Sequence, residues 1–204
     1  MTGWQQEREQ VVDRALTWTS TVPQLDGLVQ VGSGVTGFRD EWSDVDLVAV
    51  ARPGTHDAVL AQARSFLGAL DALAVTAWWH RPGVVVLCAL LPSGLEVDLG
   101  VWTRDVLFAS GPRWRVLAAP TPAARARLEH ALTHNPALPR PHEATAEGTD
   151  PTWQYVLAEA VRARRGGRAV DVAAVEATLA DSPYPPQVQD LLLRLAREVG
   201  APTG

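Results

Sequence analysis

The sequence predicts an α/β (α+β) fold, in which a mixed sheet with flanking helices is followed by a C-terminal helical region. In the first half, short apolar runs bounded by Gly and Pro alternate with helix-like segments. The second half changes character and consists of helix-like segments separated by Pro and Gly. With 204 residues, the chain can hold one medium domain or a compact domain with a helical annex.

The first half is predicted to contain two helices and four strands. Apolar residues at helical spacing indicate an amphipathic helix at the start, and a connector with Pro23 follows it. The second strand is apolar on both faces from Leu47 onward, which places it in the centre of a sheet. A turn of hairpin length joins the last two strands. In order, the predicted elements are a helix at 5–20, strands at 28–31 and 44–51, a helix at 55–73, and strands at 84–91 and 95–102.

The second half is predicted to contain four helices. Pro122 suits the first helical position of one, and Asp150 caps the next, which ends at paired glycines. Residues 135–149 hold three Pro and few large apolar residues, which predicts a linker or mobile loop. The predicted domains are therefore 1–118 and a C-terminal helical region, 119–204. Its helices are predicted at 121–134, 150–166, 170–179 and 186–199.

One stretch carries most of the chemical information. A small-residue turn, Gly32-Ser33, precedes Asp44 and Asp46, which stand at the mouth of an apolar strand. Because side chains alternate along a strand, the two aspartates point the same way. Adjacent carboxylates repel, so such a pair is rarely arranged unless a cation such as Mg²⁺ neutralises it. The glycine lets a phosphate chain approach the backbone closely, and the stretch predicts a metal-dependent phosphoryl- or nucleotidyl-transfer site.

Two other nucleotide-binding patterns also depend on glycines of this kind. Residues 32–37 satisfy the dinucleotide-binding pattern G-x-G-x-x-G. That pattern needs a helix of roughly ten residues after its last glycine, and only residues 38–43 separate Gly37 from the next strand. A Walker-type phosphate loop needs a Lys after the glycines, and the chain contains no Lys. Both patterns are therefore excluded.

Gly-Ser, ten further residues and Asp-x-Asp on a strand together resemble the signature of the DNA polymerase β-type nucleotidyltransferase superfamily. Its small members include aminoglycoside and lincosamide nucleotidyltransferases and the minimal nucleotidyltransferases of toxin–antitoxin pairs. The family adds a third carboxylate from a later strand, for which Asp98 is the fitting candidate. Glu96 lies on the same face of that strand, so Asp98 is preferred only on the family pattern. The resemblance covers roughly the first half of the chain and implies the nucleotidyltransferase fold.

The resemblance also implies a reaction and roles for individual residues. Two Mg²⁺ ions, or Mn²⁺ in their place, would be held by Asp44, Asp46 and Asp98, the last of which could take the proton from the attacking hydroxyl. A nucleoside triphosphate would lie over Gly32 and Ser33. Arg39, in the loop that follows, is a further candidate for binding it. The enzyme would move a nucleoside monophosphate to a hydroxyl of a small acceptor, with an aminoglycoside-like antibiotic as the first choice.

Two alternatives to this enzyme remain open. One is the antitoxin type of nucleotidyltransferase, which adenylylates a partner protein, although the helical second half counts modestly against it. The other is a nucleotidyltransferase-fold module that has lost catalysis and serves in binding. Loss of a carboxylate would mark that module, and all three positions are filled here.

Composition limits the class of substrate, the role of the single cysteine and the expected location of the protein. The formal net charge of −5 argues against nucleic acid as a substrate, since phosphate backbones demand a basic surface. Cys88 is the single cysteine and lies in an apolar run, which favours a buried structural thiol over a nucleophile. The sequence has neither a signal-peptide pattern at its start nor an apolar span of membrane length. We therefore expect a cytoplasmic protein that makes no membrane contact.

Four arginines crowd the end of the helix predicted at 150–166 and the residues just after it. Cations at this position complement the partial negative charge of a helix C-terminus, which is the favoured explanation for them. A share in binding the nucleotide or a partner is the alternative. The four residues are Arg162, Arg164, Arg165 and Arg168.

Overall fold

The computed structural model of the protein describes residues 2–109, 111, 113–136 and 144–200. Within these ranges the chain forms a mixed seven-stranded sheet with six α-helices, which confirms the predicted fold class. The elements of the first half are α1 (Gly3–Thr21), β1 (Leu25–Val31), β2 (Val45–Ala51), α2 (His56–Ala69), β3 (Ala74–Arg81), β4 (Val84–Leu90) and β5 (Glu96–Thr103). Those that follow are β6 (Trp114–Ala118), α3 (Pro122–His134), β7 (Thr145–Gly148), α4 (Thr152–Arg165), α5 (Val172–Ala180) and α6 (Pro186–Gly200).

The strands lie in the order β6-β1-β2-β5-β4-β3-β7. The pair β2–β5 is parallel, and each of the other neighbouring pairs is antiparallel. The two parallel strands occupy the middle of the sheet, as the apolar character of β2 on both faces predicted.

One face of the sheet is covered by α1 and α2. Alternate residues of β2 and β5, such as Leu47 and Leu99, are almost completely buried there. They pack against the apolar stripes of the two helices, represented by Ala15 and Leu67. This is the main hydrophobic core, and it holds the two central strands in fixed register.

The opposite face is covered by two separate groups of helices. At the β6–β1 end, α3 packs over Val29 and Val48. At the β4–β3 end, α4, α5 and α6 pack over Leu90, and the fully buried Trp153 of α4 lies in this cluster. The amino ends of β2 and β5 lie between the two groups and carry polar side chains, which are candidates for a functional site.

Several boundaries differ from the prediction. The first strand begins at Leu25, within the stretch expected to be a connector, and neither β3 nor β6 is among the predicted strands. The second helix ends at Ala69 instead of near residue 73, because Asp71 adopts a left-handed conformation with φ of 60° that cannot continue a helix.

The segment expected to be a linker or mobile loop, 135–149, is in part a strand. Residues 145–148 form β7, which pairs with β3 at the sheet edge, so the linker prediction is wrong for them. Residues 137–143 lie outside the described part of the chain. Residues beyond 118 therefore contribute to the sheet of the first half: β7 adds a strand to it, and α3 packs on β1 and β6. Among the described residues, no helix combines the length and apolar character needed to cross a membrane.

Candidate functional site: an acidic face between two groups of helices

Four carboxylates meet on one face of the sheet, at the amino ends of its two parallel strands. Asp46 of β2 stands directly beside Asp98 of β5. Glu96 lies two residues before Asp98 on β5 and shares its face, and Asp44, just before β2, is close enough for its charge to act on Asp46 and Glu96. The strand of Asp98 thus runs beside that of Asp46.

Burial and mutual repulsion raise the pKa of three of these carboxyl groups. Removal from water, followed by the negative charges of Asp44 and Glu96, raises the pKa of Asp46 from 3.8 to about 7. The same two causes, burial first and then the charge of Glu96, raise the pKa of Asp98 well above its ordinary value. Burial and the charge of Asp44 also raise the pKa of Glu96. In the absence of a cation, the site therefore tends to hold protons near neutral pH.

Gly32 is packed against one of these carboxylates. Its φ is +71°, and a Cβ on it would collide with Oδ2 of Asp46. Glycine is required here both by the left-handed backbone and by the close approach. Ser33 follows in a short 3₁₀ turn, and within the described part of the chain its buried hydroxyl has no hydrogen-bond partner. The turn thus brings a close backbone and an unused hydroxyl group to the edge of the acidic face.

Cys88 lies beside Asp98 on the neighbouring strand β4. Its sulfur and one carboxylate oxygen each from Glu96 and Asp98 lie within 4.8 Å of one another. Burial, and then the nearby charge of Asp98, raises the pKa of the thiol far above its ordinary range. The thiol therefore stays protonated and donates a hydrogen bond to Asp98, as a buried structural cysteine rather than a nucleophile or anionic ligand.

Helix α4 contacts the acidic face through Gln154, a residue that sequence reasoning did not identify. Nε2 of Gln154 donates to Oε1 of Glu96 over 2.9 Å, and its Oε1 accepts from Nε1 of Trp78 over 2.7 Å. The indole fixes which way the amide points, and the amide in turn orients one oxygen of Glu96. Because Gln154 is 58 residues from Glu96 along the chain, no local pattern indicates this pair.

The loop that leads into Asp44 is held by hydrogen bonds to its own side chains. The Ser43 hydroxyl accepts from the backbone N–H groups of Arg39 and Asp40, over 3.1 and 3.2 Å. Oδ1 of Asp40 accepts from the backbone N–H of Trp42 and from the Ser43 hydroxyl, each over 3.1 Å. Asp40 and Ser43 therefore set the path of the chain just before Asp44.

Two arginines from distant parts of the chain also hold this loop. Arg8 of α1 is almost fully buried and donates to the carbonyl oxygens of Ser43 and Glu41, each over 2.6 Å. Arg165, the last residue of α4, donates to both oxygens of Asp40 over 2.9 and 3.0 Å. Arg165 is thus part of the helix-end cluster that was predicted to complement the helix C-terminus, and it also has a specific partner.

A cleft of about 240 Å³ opens beside the carboxylates of Asp44 and Glu96. The loop before β2, the turn between β4 and β5, and α4 form its walls. Trp42, Leu157 and Val161 supply apolar surface to it. Two larger cavities, of about 330 Å³ between α1 and β1 and of about 500 Å³ beside α3, are lined by none of the four carboxylates of the acidic face. The cleft is therefore the candidate binding site.

The residues of the acidic face fit a divalent cation. Within the described part of the chain, Oδ1 of Asp98 is shielded from solvent and has no hydrogen-bond partner. A buried acceptor in that state is costly unless a donor or cation meets it. The donors are carboxylate oxygens, which suit Mg²⁺ or Mn²⁺, and the neighbouring thiol is protonated. Among the described residues, the three groups whose ligand atoms all lie within 4.8 Å of one another are Cys88, Glu96 and Asp98, so an ion held by Asp44, Asp46 and Asp98, with Glu96 as a further oxygen, stays a prediction from the sequence.

Arg39 is not gathered into this group. Its side chain is 73% exposed, and its guanidinium lies 4.0 Å from the Asp40 carboxylate, at the outer side of the loop. A role for Arg39 in binding a triphosphate stays a prediction from the sequence.

Comparison of the chain with protein-family models, with curated proteins and with solved structures finds no match. The assignment of a function therefore depends on the residues of the acidic face and on their geometry.

Proposed function

We propose that the protein is a Mg²⁺-dependent nucleotidyltransferase. In the reaction, the oxygen of an acceptor hydroxyl forms a bond to the α-phosphorus of a nucleoside triphosphate. The bond from that phosphorus to the bridging oxygen breaks, and pyrophosphate leaves. The observation that carries the proposal is the alignment of Asp46 with Asp98 across two parallel strands, with Asp44 and Glu96 on the same face. A cytoplasmic location belongs to this proposal.

Each part of the acidic face has a role in this proposal. Gly32 lets the triphosphate approach the backbone closely, and Ser33 binds it through its unused hydroxyl. Bound Mg²⁺ would neutralise the charge of the triphosphate and of the carboxylates. The carboxylate of Asp98 accepts the proton of the attacking hydroxyl, the role that the family resemblance implies for it. Holding the two reactants in line then supplies much of the rate.

The cleft beside Asp44 and Glu96 is the proposed place for the acceptor. Its arginines already have partners, since Arg8 binds backbone carbonyls, Arg165 binds Asp40 and Arg162 binds Glu159. The described lining carries three arginines and three carboxylates, so it is not the strongly basic surface that a nucleic acid requires. Together with the small volume, this favours a small acceptor with a free hydroxyl, such as an aminoglycoside-like compound, over nucleic acid.

Isothermal titration with ATP, GTP, CTP and UTP, each with and without Mg²⁺, tests the proposal. We expect at least one nucleotide to bind wild type only when the metal is present. We expect the double variant Asp44→Ala/Asp46→Ala to lose this binding. Asp13→Ala removes an exposed aspartate of α1 and serves as the matched control, which should bind like wild type.

The outcome decides between the enzyme and its alternatives. If wild type binds a nucleotide, the same conditions with radiolabelled nucleotide and a panel of aminoglycosides should yield labelled acceptor. Binding that is equal in wild type and the double variant would overturn the assignment of the two aspartates. If none of the four nucleotides binds wild type with Mg²⁺, the nucleotidyltransferase proposal fails and the non-catalytic module becomes the better account.

A further inference from the structure

The loop before Asp44 is connected to the far end of the chain by a two-point ion pair. Both oxygens of Asp40 accept hydrogen bonds from Arg165, which lies 125 residues later and closes α4. The fork of a guanidinium matches the two oxygens of a carboxylate, so this pair fixes direction as well as distance. Asp40 is 28% exposed and Arg165 is 35% exposed, so water screens the pair only in part.

The loop determines where Asp44 lies. Asp44 lines the cleft together with Glu96 and is close enough to Asp46 for the two carboxyl groups to interact. Asp44 lies just before β2 begins, so the strand's ladder of hydrogen bonds does not hold it. What precedes it is Ser43, whose hydroxyl is hydrogen-bonded to Asp40.

The same helix reaches the other side of the acidic face. Gln154 in its first turn orients Glu96, and Arg165 at its last turn holds Asp40. Eleven residues of helix, or about 16 Å, separate the two contacts. Helix α4 therefore contacts both Glu96 on β5 and the loop before β2.

We propose that Arg165 is a positioning residue, which holds the loop of Asp40 and Ser43 so that the Asp44 carboxylate stays beside Asp46. This inference depends on the proposed function for its consequence, since Asp44 would be a metal ligand. The clamp itself is a property of the metal-free protein. Its test can therefore separate failure of the clamp from failure of the function.

The clamp is tested by amide hydrogen exchange in the metal-free protein. In wild type the amides of residues 39, 40, 42 and 43 are hydrogen-bonded within the loop. We expect Arg165→Gln to speed their exchange about three- to tenfold, as for loss of a partly exposed charged pair. Arg165→Lys, which keeps the charge without the fork, should lie between the two. Arg168→Gln removes a neighbouring arginine that is paired with Glu159, and it should leave the loop unchanged.

The consequence for the site is tested with Mn²⁺ alone, by counting bound ions with electron paramagnetic resonance. We expect Arg165→Gln and Asp40→Asn to weaken Mn²⁺ binding about tenfold each, the range for groups that orient metal ligands. The double variant should be no weaker than either single variant, because both remove one interaction. Arg168→Gln should bind like wild type.

Each result has one meaning. Unchanged loop exchange in Arg165→Gln would overturn the clamp, whatever the metal does. Faster exchange with unaltered Mn²⁺ affinity would overturn the positioning role, since the loop would then move without effect on the ligands. If wild type binds no Mn²⁺ while the exchange still accelerates in Arg165→Gln, the proposed function fails and the clamp stands.

Discussion

The two faces of β2 and β5 have opposite chemistry although they are formed by alternate residues of the same two strands. Toward α1 and α2, Leu47 and Leu99 are buried in an apolar core. Toward the other side, Asp46 and Asp98 stand in register next to each other, with raised pKa values. A strand alternates its side chains, so one stretch of chain can build both a core and a site.

The difference separates the face that stabilises the fold from the face that carries the proposed site. The apolar face gains free energy from burial, and this gain is independent of any ligand. The acidic face loses free energy when its carboxyl groups ionise out of reach of a cation. The first face therefore holds the second in place, and under the proposed function a bound cation would offset the charge of the second. The predictions below separate the two faces.

The largest effect is expected on transfer activity when a carboxylate is removed. Asp46→Ala, or Asp44→Ala, should lower the rate of nucleotidyl transfer by at least about 10³-fold, because the metal loses a ligand at the reacting phosphate. Turnover of labelled nucleotide triphosphate measures this loss, and circular dichroism should show an intact fold. Either variant transferring at the wild-type rate would remove the aspartates from the mechanism.

Substitutions on the apolar face should instead lower stability and leave metal affinity unchanged. Leu99→Ala leaves a cavity in the main core and should lower the free energy of unfolding by about 2–5 kcal/mol, as measured by urea denaturation. Its Mg²⁺ affinity, corrected for the folded fraction, should equal that of wild type. A loss of affinity in proportion to the loss of stability would mean that the two faces are not separable.

The acidic face should make stability depend on pH. The pKa of Asp46 is raised to about 7 in the folded protein, so between about pH 4 and pH 7 the folded state binds more protons than the unfolded state. Stability from this group is complete below about pH 4 and is lost as the pH rises through 7. Thermal unfolding in EDTA should show a fall in midpoint over this window, and the fall should be smaller in Asp46→Asn. An identical profile in both proteins would contradict the raised pKa.

The smallest effect is expected from a matched pair of glycine substitutions. Gly32 and Gly54 both have positive φ, at +71° and +76°, but the described residues leave open space around Gly54 while Gly32 faces Asp46. Both Gly→Ala variants should lose about 1–2 kcal/mol of stability from the backbone strain. Gly32→Ala should in addition lose metal affinity in a titration, and Gly54→Ala should not. Equal affinity in the two variants would mean that the approach of Gly32 to Asp46 is without consequence.

The components of the site that lie on local patterns could be predicted from the sequence. Strand alternation indicated Asp44 and Asp46, and the family resemblance indicated Asp98; the structure places Asp46 and Asp98 side by side, while their role in a site stays a prediction. Their partners could not be predicted, because Gln154 and Arg165 reach the site through tertiary packing over 58 and 125 residues of chain. The arginine cluster was correctly placed near a helix end, but which member binds Asp40 depended on where the loop of Asp40 lies.

The elements of the fold divide in the same way. The strands β2, β4 and β5 have strong apolar patterns and were predicted within one or two residues. In contrast, β7 consists of four exposed residues with the sequence of a loop. Its strand conformation comes from pairing with β3, where Trp79 donates to Glu147 over 2.8 Å and the Thr76 hydroxyl donates to the carbonyl of Thr149. Local propensity contains no information about such an edge strand.

The most direct test of the account is the thermal unfolding of wild type and Asp46→Asn, titrated with Mg²⁺ at about pH 8, above the pKa of Asp46. If the acidic face requires a cation, metal-free Asp46→Asn should be more stable than metal-free wild type. Added Mg²⁺ should then raise the midpoint of wild type by several degrees and leave the variant nearly unchanged. An identical response of the two proteins to Mg²⁺, or no response in wild type, would contradict the claim that this face is a metal site.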